Sequence, residues 1–250
     1  AGVGAQSGAV TWSNMLDVLQ TLGTANADDE QVRFLTTPAV RRLLQARVAQ
    51  PVVLGTGDLQ GPLELIADLV PPGSRVLDLG CGSGETLAYL RDHRQCTGYG
   101  IEIADANVLA CEQRGVNVIQ LNLEEGLAIF DDQSFDVVLQ LDTLQHLRNT
   151  ERMLIETARV GRIGIVSFPN FAHWPNRLSV VGGRMPVTRA LPYEWYDTPN
   201  IRVSTYADFE GLAQRCGLRI LDAFGIQNGA CVRRWPNLMA SVAVFKFERG

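Results

Sequence analysis

The chain has 250 residues, of which 46% are hydrophobic and 20% are charged, and its formal net charge is -5. This composition is typical of a globular protein with one sizeable core, and we predict a cytoplasmic location. The acidic balance argues against a nucleic-acid partner, and no apolar run reaches the ~20 residues of a membrane span. The five cysteines are widely spaced and include no C-x-x-C pair, so neither a disulfide framework nor a metal site is predicted.

The first 70 residues predict a set of helices before the main domain. Apolar residues recur at helical spacing over 12–22, again after Pro38, and over 63–70. We interpret residues 1–70 as an N-terminal helical cap and residues 71–250 as the main domain. Both a role beside a binding pocket and simple packing are compatible with this pattern.

The stretch from Arg75 to Glu85 predicts a buried strand, a tight turn and the start of a helix. Asp78 interrupts the apolar run of the strand, and an acid there needs a reason. A dinucleotide fingerprint G-x-G-x-x-G would need glycine in place of Glu85, and a carboxylate there would repel a pyrophosphate. The turn therefore favours a ligand with hydroxyls and positive charge. It leaves bare main chain at three glycines, Gly80, Gly82 and Gly84.

A second predicted strand, residues 97–102, ends in the acid Glu102. An acid at this place can accept hydrogen bonds from both ribose hydroxyls of an adenosine. Together the turn and the acid resemble the cofactor motif of class I S-adenosylmethionine-dependent methyltransferases, although glycines that only close a turn are the competing explanation. The resemblance implies S-adenosyl-L-methionine as cofactor and S-adenosyl-L-homocysteine as product. It assigns to cofactor binding Asp78, Gly80, Cys81, Gly82, Gly84, Glu102 and Ile103.

From Arg75 onward, strand and helix patterns alternate, which predicts a parallel sheet with helices on both faces. The predicted fold class is α/β, a Rossmann-like seven-stranded class I methyltransferase sheet with an N-terminal helical cap. We expect the last two strands to form an antiparallel edge. The seven predicted strands cover residues 75–79, 97–102, 116–119, 135–140, 162–168, 218–221 and 241–247.

Polar residues follow the third and fourth predicted strands, where ligands of open α/β sheets lie. Asn122 could read the adenine amino group while Leu123 covers a ring face, but a plain turn role for Asn122 is equally compatible. Gln140 ends the fourth strand, and we assign it to the cofactor site as well. Asp142 and His146 are the candidates for a general base where the methyl acceptor must lose a proton. For His146 a structural role is the alternative.

Residues 170–204 predict an insert that has little periodicity and many aromatic side chains, which is typical of a lid or binding segment. Tyr193 and Tyr196 are candidates for orienting the acceptor. Aromatic faces from Trp174 or Trp195 could favour a cationic centre. Packing is the competing explanation for each of these residues.

Five further stretches of the sequence carry a recognisable pattern: 76–90, 98–103, 167–174, 183–188 and the specific run P-Y-E-W-Y-D-T-P-N within 190–201. Together they resemble the methionine biosynthesis protein MetW family. The resemblance implies a class I methyltransferase fold and a link to homoserine O-acylation beside a separate acyltransferase. No serine lies in a G-x-S-x-G nucleophile elbow, so the chain is not itself such an acyltransferase.

Two functions follow from these patterns. The first is methyl transfer from S-adenosylmethionine to a small molecule in a desolvated pocket, where alignment supplies most of the rate. The second is a MetW-like accessory protein that binds a homoserine O-acyltransferase. Glu85 disfavours an NAD-dependent oxidoreductase. The acceptor and the oligomeric state stay open.

Overall fold

The computed structural model describes residues 60–250. The helices expected over 12–22 and after Pro38 lie outside this part, and the cap stays a prediction. The strands are β1 Arg75–Leu79, β2 Thr97–Glu102, β3 Val118–Gln120, β4 Phe135–Leu141, β5 Gly161–Pro169, β6 Leu218–Gln227, β7 Ala230–Val232 and β8 Val242–Arg249. The helices are α1 Gln60–Leu69, α2 Glu85–Arg94, α3 Asp105–Gln113, α4 Thr150–Val160, α5 Trp174–Val181, α6 Tyr206–Arg215 and α7 Pro236–Met239, with 3₁₀ turns Leu123–Glu125 and Leu144–His146.

All these strands form one sheet in the order β3-β2-β1-β4-β5-β8-β6-β7. The strands from β3 to β5 in that order pair in parallel, whereas β8 is antiparallel to both β5 and β6. The strands that follow β1 in the chain, β2 and β3, lie on one side of it, whereas β4 and β5 lie on the other side, so the strand order changes direction between β1 and β4. In open α/β sheets a ligand crevice forms beyond the carboxyl ends of such a pair. This topology fixes where a functional site is to be sought.

The fold class is confirmed, but the sheet has eight strands rather than the seven predicted. The additional strand, β7, pairs with β6 across a tight turn at Asn228 and Gly229, whose φ angles are 49° and 77°. An Asn-Gly pair suits a hairpin turn because both residues tolerate positive φ. Strand β7 was not predicted because this Asn-Gly pair was not interpreted as a hairpin turn.

Helices cover both faces of the sheet. On one face, Ile66, Leu87 and Cys111 from α1, α2 and α3 pack in one core cluster with residues of β1 and β4. On the other face, Leu154 of α4 and Phe209 of α6 pack against the phenylalanines of β5 and β8. Each fully buried large side chain contributes roughly 1.5–3 kcal/mol, so both layers hold the sheet firmly. None of the helices in the described part is long and apolar enough to cross a membrane.

The insert predicted to be irregular contains a helix, α5, which has proline in its first turn and ends at Gly182. Fully buried Asn170 fixes the beginning of the insert. Its Nδ2 donates to the carbonyls of Asn237 and Ala240 at 3.0 and 2.8 Å, and its Oδ1 accepts from the N–H of Tyr206 at 3.2 Å. One side chain therefore holds β5, α6 and α7 together at the base of the insert.

The other end of the insert is attached to the 3₁₀ turn after β4. The N–H groups of Ile201 and Arg202 both donate to the carbonyl of Gln145, at 3.0 and 3.1 Å. Arg202 Nη2 also donates to the carbonyl of Arg148 at 2.8 Å. The insert is thus anchored to the main domain at both ends.

Candidate functional site

The turn after β1 combines two kinds of glycine. Gly80 has a φ of 76°, and a Cβ built on it would lie 2.6 Å from Thr143 Oγ1, so the turn and the end of β4 approach too closely for any side chain. Gly82 has a φ of 54°, and nothing lies within 4 Å of a Cβ built there. Gly84 caps the N-terminus of α2 with a φ of 78°. Gly82 therefore presents bare main chain to open space.

Glu102, at the end of β2, is fixed against this turn. Its Oε2 accepts from the N–H of Gly82 at 2.9 Å, and its Oε1 accepts from the N–H groups of Ile103 and Ala104 at 2.8 and 2.9 Å. Each carboxylate oxygen has two lone pairs, so these three bonds leave one lone pair, on Oε2, for a further donor. The prediction that β1 and β2 bring the acid and the glycine turn together agrees with this geometry.

Asp78 is 2% exposed, and within residues 60–250 no hydrogen bond or ion pair reaches its carboxyl group. Burial, and secondarily the negative charge of Glu102, raises the pKa of Asp78 to about 7. A buried carboxyl without a cation costs free energy when it ionises. The site therefore contains an acid that a positively charged ligand group would stabilise in its ionised form.

The two residues next in the predicted cofactor set differ in their accessibility. The Cys81 side chain points into the core, where its Sγ lies 3.7 Å from Cys111 Sγ, so only its main chain borders the turn. Burial raises the pKa of both thiols, which keeps them protonated. Ile103, in contrast, is exposed directly after Glu102 and offers an apolar surface for a planar ring.

The remaining predicted cofactor residues, Asn122, Leu123 and Gln140, lie in different surroundings. Asn122 Oδ1 accepts from the N–H of Glu124 at 3.1 Å and caps the first 3₁₀ turn, as the turn interpretation expects, and Leu123 is half-buried beside it. Gln140 is fully buried and donates to Thr157 of α4. Its side chain lies between the sheet and α4 and not at the end of β4. We therefore leave Gln140 out of the cofactor contacts.

Asp142 follows β4 with its main chain in the left-handed region, at a φ of 51°. Its N–H donates to the carbonyl of Ser167 at 3.1 Å, and its carbonyl accepts from Gln145 Nε2 at 2.8 Å. The carboxyl group makes no hydrogen bond with a described residue and is open to solvent. Protein atoms nevertheless crowd around it, and this desolvation raises the pKa of Asp142 while the charge of His146 opposes the shift. Asp142 is thus a rigidly mounted acid with a free side chain.

His146 lies close to Asp142, and its Nδ1 is 3.2 Å from the carbonyl oxygen of Pro199 in the insert. A carbonyl only accepts, so Nδ1 carries a proton and Nε2 holds the lone pair of the neutral ring. Tyr193 and Tyr196 are exposed on the insert, and no hydrogen bond with a described residue holds their hydroxyls. The structure therefore brings together Asp142 and His146, and the roles of the two tyrosines stay predictions.

The contacts of two residues that support the site were not predicted from the sequence. Arg114 Nη1 donates to the carbonyl of Ser83 at 2.7 Å, and Nη2 pairs with Glu85 at 3.0 Å. This pair balances the charge of Glu85, which weakens the electrostatic argument made from that residue alone. Thr143 Oγ1 donates to the carbonyl of Leu79 at 2.8 Å and joins the ends of β1 and β4. Both contacts join distant parts of the chain, and no local motif signals them.

Comparison with known families identifies the chain. The model of the family described as methionine biosynthesis protein MetW matches residues 61–247. The chain belongs to the MetW family. A bifunctional methionine biosynthesis protein MetXA/MetW from Rhodopirellula baltica is 37% identical over 226 residues, which cover 85% of this MetW-family chain and 36% of that protein. A ubiquinone biosynthesis O-methyltransferase from Maricaulis maris is 32% identical over 100 residues, or 37% of this chain and 38% of that protein. The chain thus spans well under half the length of either relative.

Solved structures resemble this MetW-family fold at low sequence identity. An S-adenosylmethionine-dependent methyltransferase from Thermotoga maritima superposes with a TM-score of 0.60 at 18% identity, covering 84% of this chain and 97% of that one. The [4+2]-cyclase SpnF superposes with a TM-score of 0.56 at 16% identity, covering 84% and 92%. These likenesses confirm the class I methyltransferase fold. The cyclase also shows that one fold carries more than one chemistry, so the activity must be argued from the site.

Proposed function

We propose that this MetW-family chain is an S-adenosylmethionine-dependent methyltransferase that acts on a small molecule. The observation that carries the proposal is the pair of buried acids at an open glycine turn. Glu102 is oriented by three main-chain donors, and Asp78 is buried without a cation from the described residues. A ligand with a hydroxyl donor and positive charge complements both acids.

The residues present fit three parts of adenosylmethionine. Oε2 of Glu102 has a lone pair left for a ribose hydroxyl, and the exposed Ile103 with Leu123 provides apolar contact for the adenine ring. Asp78, which lies near enough to Glu102 to respond to its charge, would attract the cationic end of the ligand. A phosphate-bearing dinucleotide fits less well, because both acids would repel it.

When bound, adenosylmethionine would supply an electrophilic methyl group on a sulfonium sulfur. Asp142, held after β4 by its main chain, would act as the base that takes the proton of an acceptor hydroxyl. A positioned base contributes typically 10²–10⁴-fold to such a step. Nε2 of His146 is the second candidate for this role. The anchored insert would exclude water from the acceptor, which strengthens every charge interaction inside.

The test begins with calorimetric titration of the full chain with S-adenosylmethionine and S-adenosylhomocysteine, beside Glu102→Ala. We expect binding in the micromolar range that the variant loses. Transfer of a labelled methyl group is then measured with a panel of hydroxyl and carboxyl compounds, because the Maricaulis relative is an O-methyltransferase. Absence of binding would contradict the cofactor assignment. Binding without transfer across the panel would count against the enzymatic role.

A second function is favoured by one specific observation, the relative in which MetXA and MetW are parts of one polypeptide. Such a fusion keeps two modules together at high effective concentration. Under this second proposal the chain is an accessory protein that binds and activates a separate homoserine O-acyltransferase. Its test is the acyltransferase rate with and without the chain, together with co-purification of the two proteins. No complex and no change in rate would contradict it.

A further inference from the structure

The helix of the insert, α5, turns apolar side chains toward solvent and a polar side chain toward the protein, which is the reverse of a normal surface helix. Trp174, Leu178 and Val181 follow one another at helical spacing and are 47%, 61% and 86% exposed. The side turned toward the protein contains Asn176, which is 2% exposed and donates from Nδ2 to the carbonyl of Asn170 at 3.2 Å. Surface helices normally turn the apolar stripe inward. The apolar stripe of α5 is instead presented to solvent.

This stripe belongs to a larger apolar surface. Of the nineteen exposed large hydrophobic side chains in the described residues, eleven lie between 174 and 203. They include Met185, Trp195 and Tyr196 on the loop that follows the helix. Single exposed apolar residues need no explanation, but a concentrated patch marks an interaction site. We call the side chains exposed between 174 and 203 the insert surface.

The charge of the insert surface differs from that of the whole chain. Residues 174–203 contain four arginines, including Arg177 and Arg184, against only Glu194 and Asp197, whereas the whole chain has a net charge of -5. An apolar centre with a basic rim complements a partner that has an apolar groove with an acidic rim. A second copy of the same surface would bring the arginines of two chains together, which like-charge repulsion disfavours.

Two features make this surface suitable for specific docking. The insert is anchored at Asn170 and at Gln145, so its surface is held in shape before a partner arrives and less entropy is lost on binding. A cleft of about 470 Å³ adjoins it, lined in part by Arg177, Tyr206 and Trp235. Clefts beside apolar surfaces accept the anchor side chains that dominate binding energy.

We infer that the outward stripe of α5 is the docking surface for the homoserine O-acyltransferase subunit, with the helix lying in an apolar groove of that partner. This inference rests on the accessory role proposed above. The relative that carries MetXA and MetW in one polypeptide supports this choice of occupant, because a separate chain needs a surface in place of the covalent link. The partner groove is apolar and bordered by acidic residues that face Arg177 and Arg184.

The test measures the dissociation constant between the full chain and the acyltransferase of the same organism by calorimetry. Leu178→Glu and Val181→Glu each put a carboxylate into the stripe, and both side chains are mainly exposed, so the fold is preserved. Leu109→Glu on α3 is the matched control, since Leu109 is 54% exposed on another surface. We expect roughly thirtyfold or greater weakening for each stripe variant and no change for the control. All variants should keep the unfolding temperature of the unaltered chain within a few degrees.

Each outcome decides a different point. A complex that Leu178→Glu and Val181→Glu leave at full strength overturns the α5 surface and keeps the accessory role. No complex with the unaltered chain overturns both, and leaves the methyltransferase proposal to its own test. Self-association of the unaltered chain that Leu178→Glu abolishes, without an effect on the acyltransferase, overturns the assignment in favour of an interface between copies.

Discussion

The carboxylate of Glu102 accepts a hydrogen bond from the main-chain N–H of Gly82 at 2.9 Å. This bond joins the end of β2 to the turn after β1, so the two halves of the candidate cofactor site hold each other in place. The donors at Ile103 and Ala104 fix the orientation of the same carboxylate. Because these groups are already aligned, the protein loses less conformational entropy when a ligand binds.

Gly82→Ala should weaken adenosylmethionine binding at least tenfold with only a modest loss of stability. The added Cβ has no neighbour within 4 Å, so it enters the space where the ligand would lie, while the positive φ of 54° costs roughly 1–2 kcal/mol. Gly73→Ala is the matched control, because Gly73 has a φ of 75°, no neighbour within 4 Å, and a position before β1 away from the site. Equal dissociation constants for the two variants would contradict an open ligand site at Gly82.

Cofactor affinity should depend on pH through Asp78. Its pKa of about 7 means that the carboxyl group is partly protonated at neutral pH, and a cationic ligand favours the ionised form. Binding therefore releases a proton below about pH 7, and the dissociation constant should rise by up to tenfold for each pH unit lost. Calorimetry between pH 5.5 and 8.5 measures this slope. Asp78→Asn should bind more weakly and remove the slope; an identical slope in that variant would assign the dependence to another group.

The same residue should limit stability in the absence of ligand. The folded-state pKa of Asp78 is raised to about 7 from 3.8, so its protonation stabilises the folded chain fully below about pH 4. From about pH 4 upward this stability falls by about 1.4 kcal/mol for each pH unit, and it is fully lost once the pH has risen through 7, on the order of 4 kcal/mol in total. Urea unfolding at pH 5 and pH 8 should show a smaller loss for Asp78→Asn than for the unaltered chain. Equal losses would mean that Asp78 is not protonated in the fold.

Asp142→Asn should lower the rate of methyl transfer and leave cofactor binding unchanged. The amide keeps the size of the side chain but cannot take a proton, so kcat should fall about 10²–10⁴-fold with an acceptor that must be deprotonated. Asp105→Asn is a suitable comparison, because Asp105 is an exposed acid at the start of α3. A kcat that stays within twofold of the unaltered enzyme would transfer the role of base to His146 or exclude the need for one.

The sequence predicted the parts of the site that depend on local patterns. The strand, glycine turn and helix from Arg75 to Arg94 and the acid Glu102 lie next to each other in space because consecutive parallel strands pair. The contacts of Arg114 with Ser83 and of Thr143 with Leu79 were not predicted, because the partners lie 31 and 64 positions apart and no spacing rule connects them. Contacts of this kind follow from topology and not from local pattern.

The prediction for Gln140 shows a second limit. Strand β4 is buried on both faces, so its apolar and polar residues do not alternate and its sequence does not reveal which side chains turn toward α4. Only the pairing of the strand in the sheet decides that Gln140 meets Thr157. In the insert, aromatic composition suggested an irregular segment, and the helix α5 was missed because its eight residues give only about two turns of helical periodicity.

The buried carboxamide of Asn170 contacts the main chain at the start of the insert, at the start of α6 and around α7. The roughly thirty residues beyond it therefore form a replaceable module whose sequence can diverge without disturbing the sheet. Proteins that retain this asparagine and the bonds to the Gln145 carbonyl could exchange their inserts and thereby exchange partners or substrates. In such a family, new specificity would arise by replacement of the insert, while the cofactor half of the molecule stays unchanged.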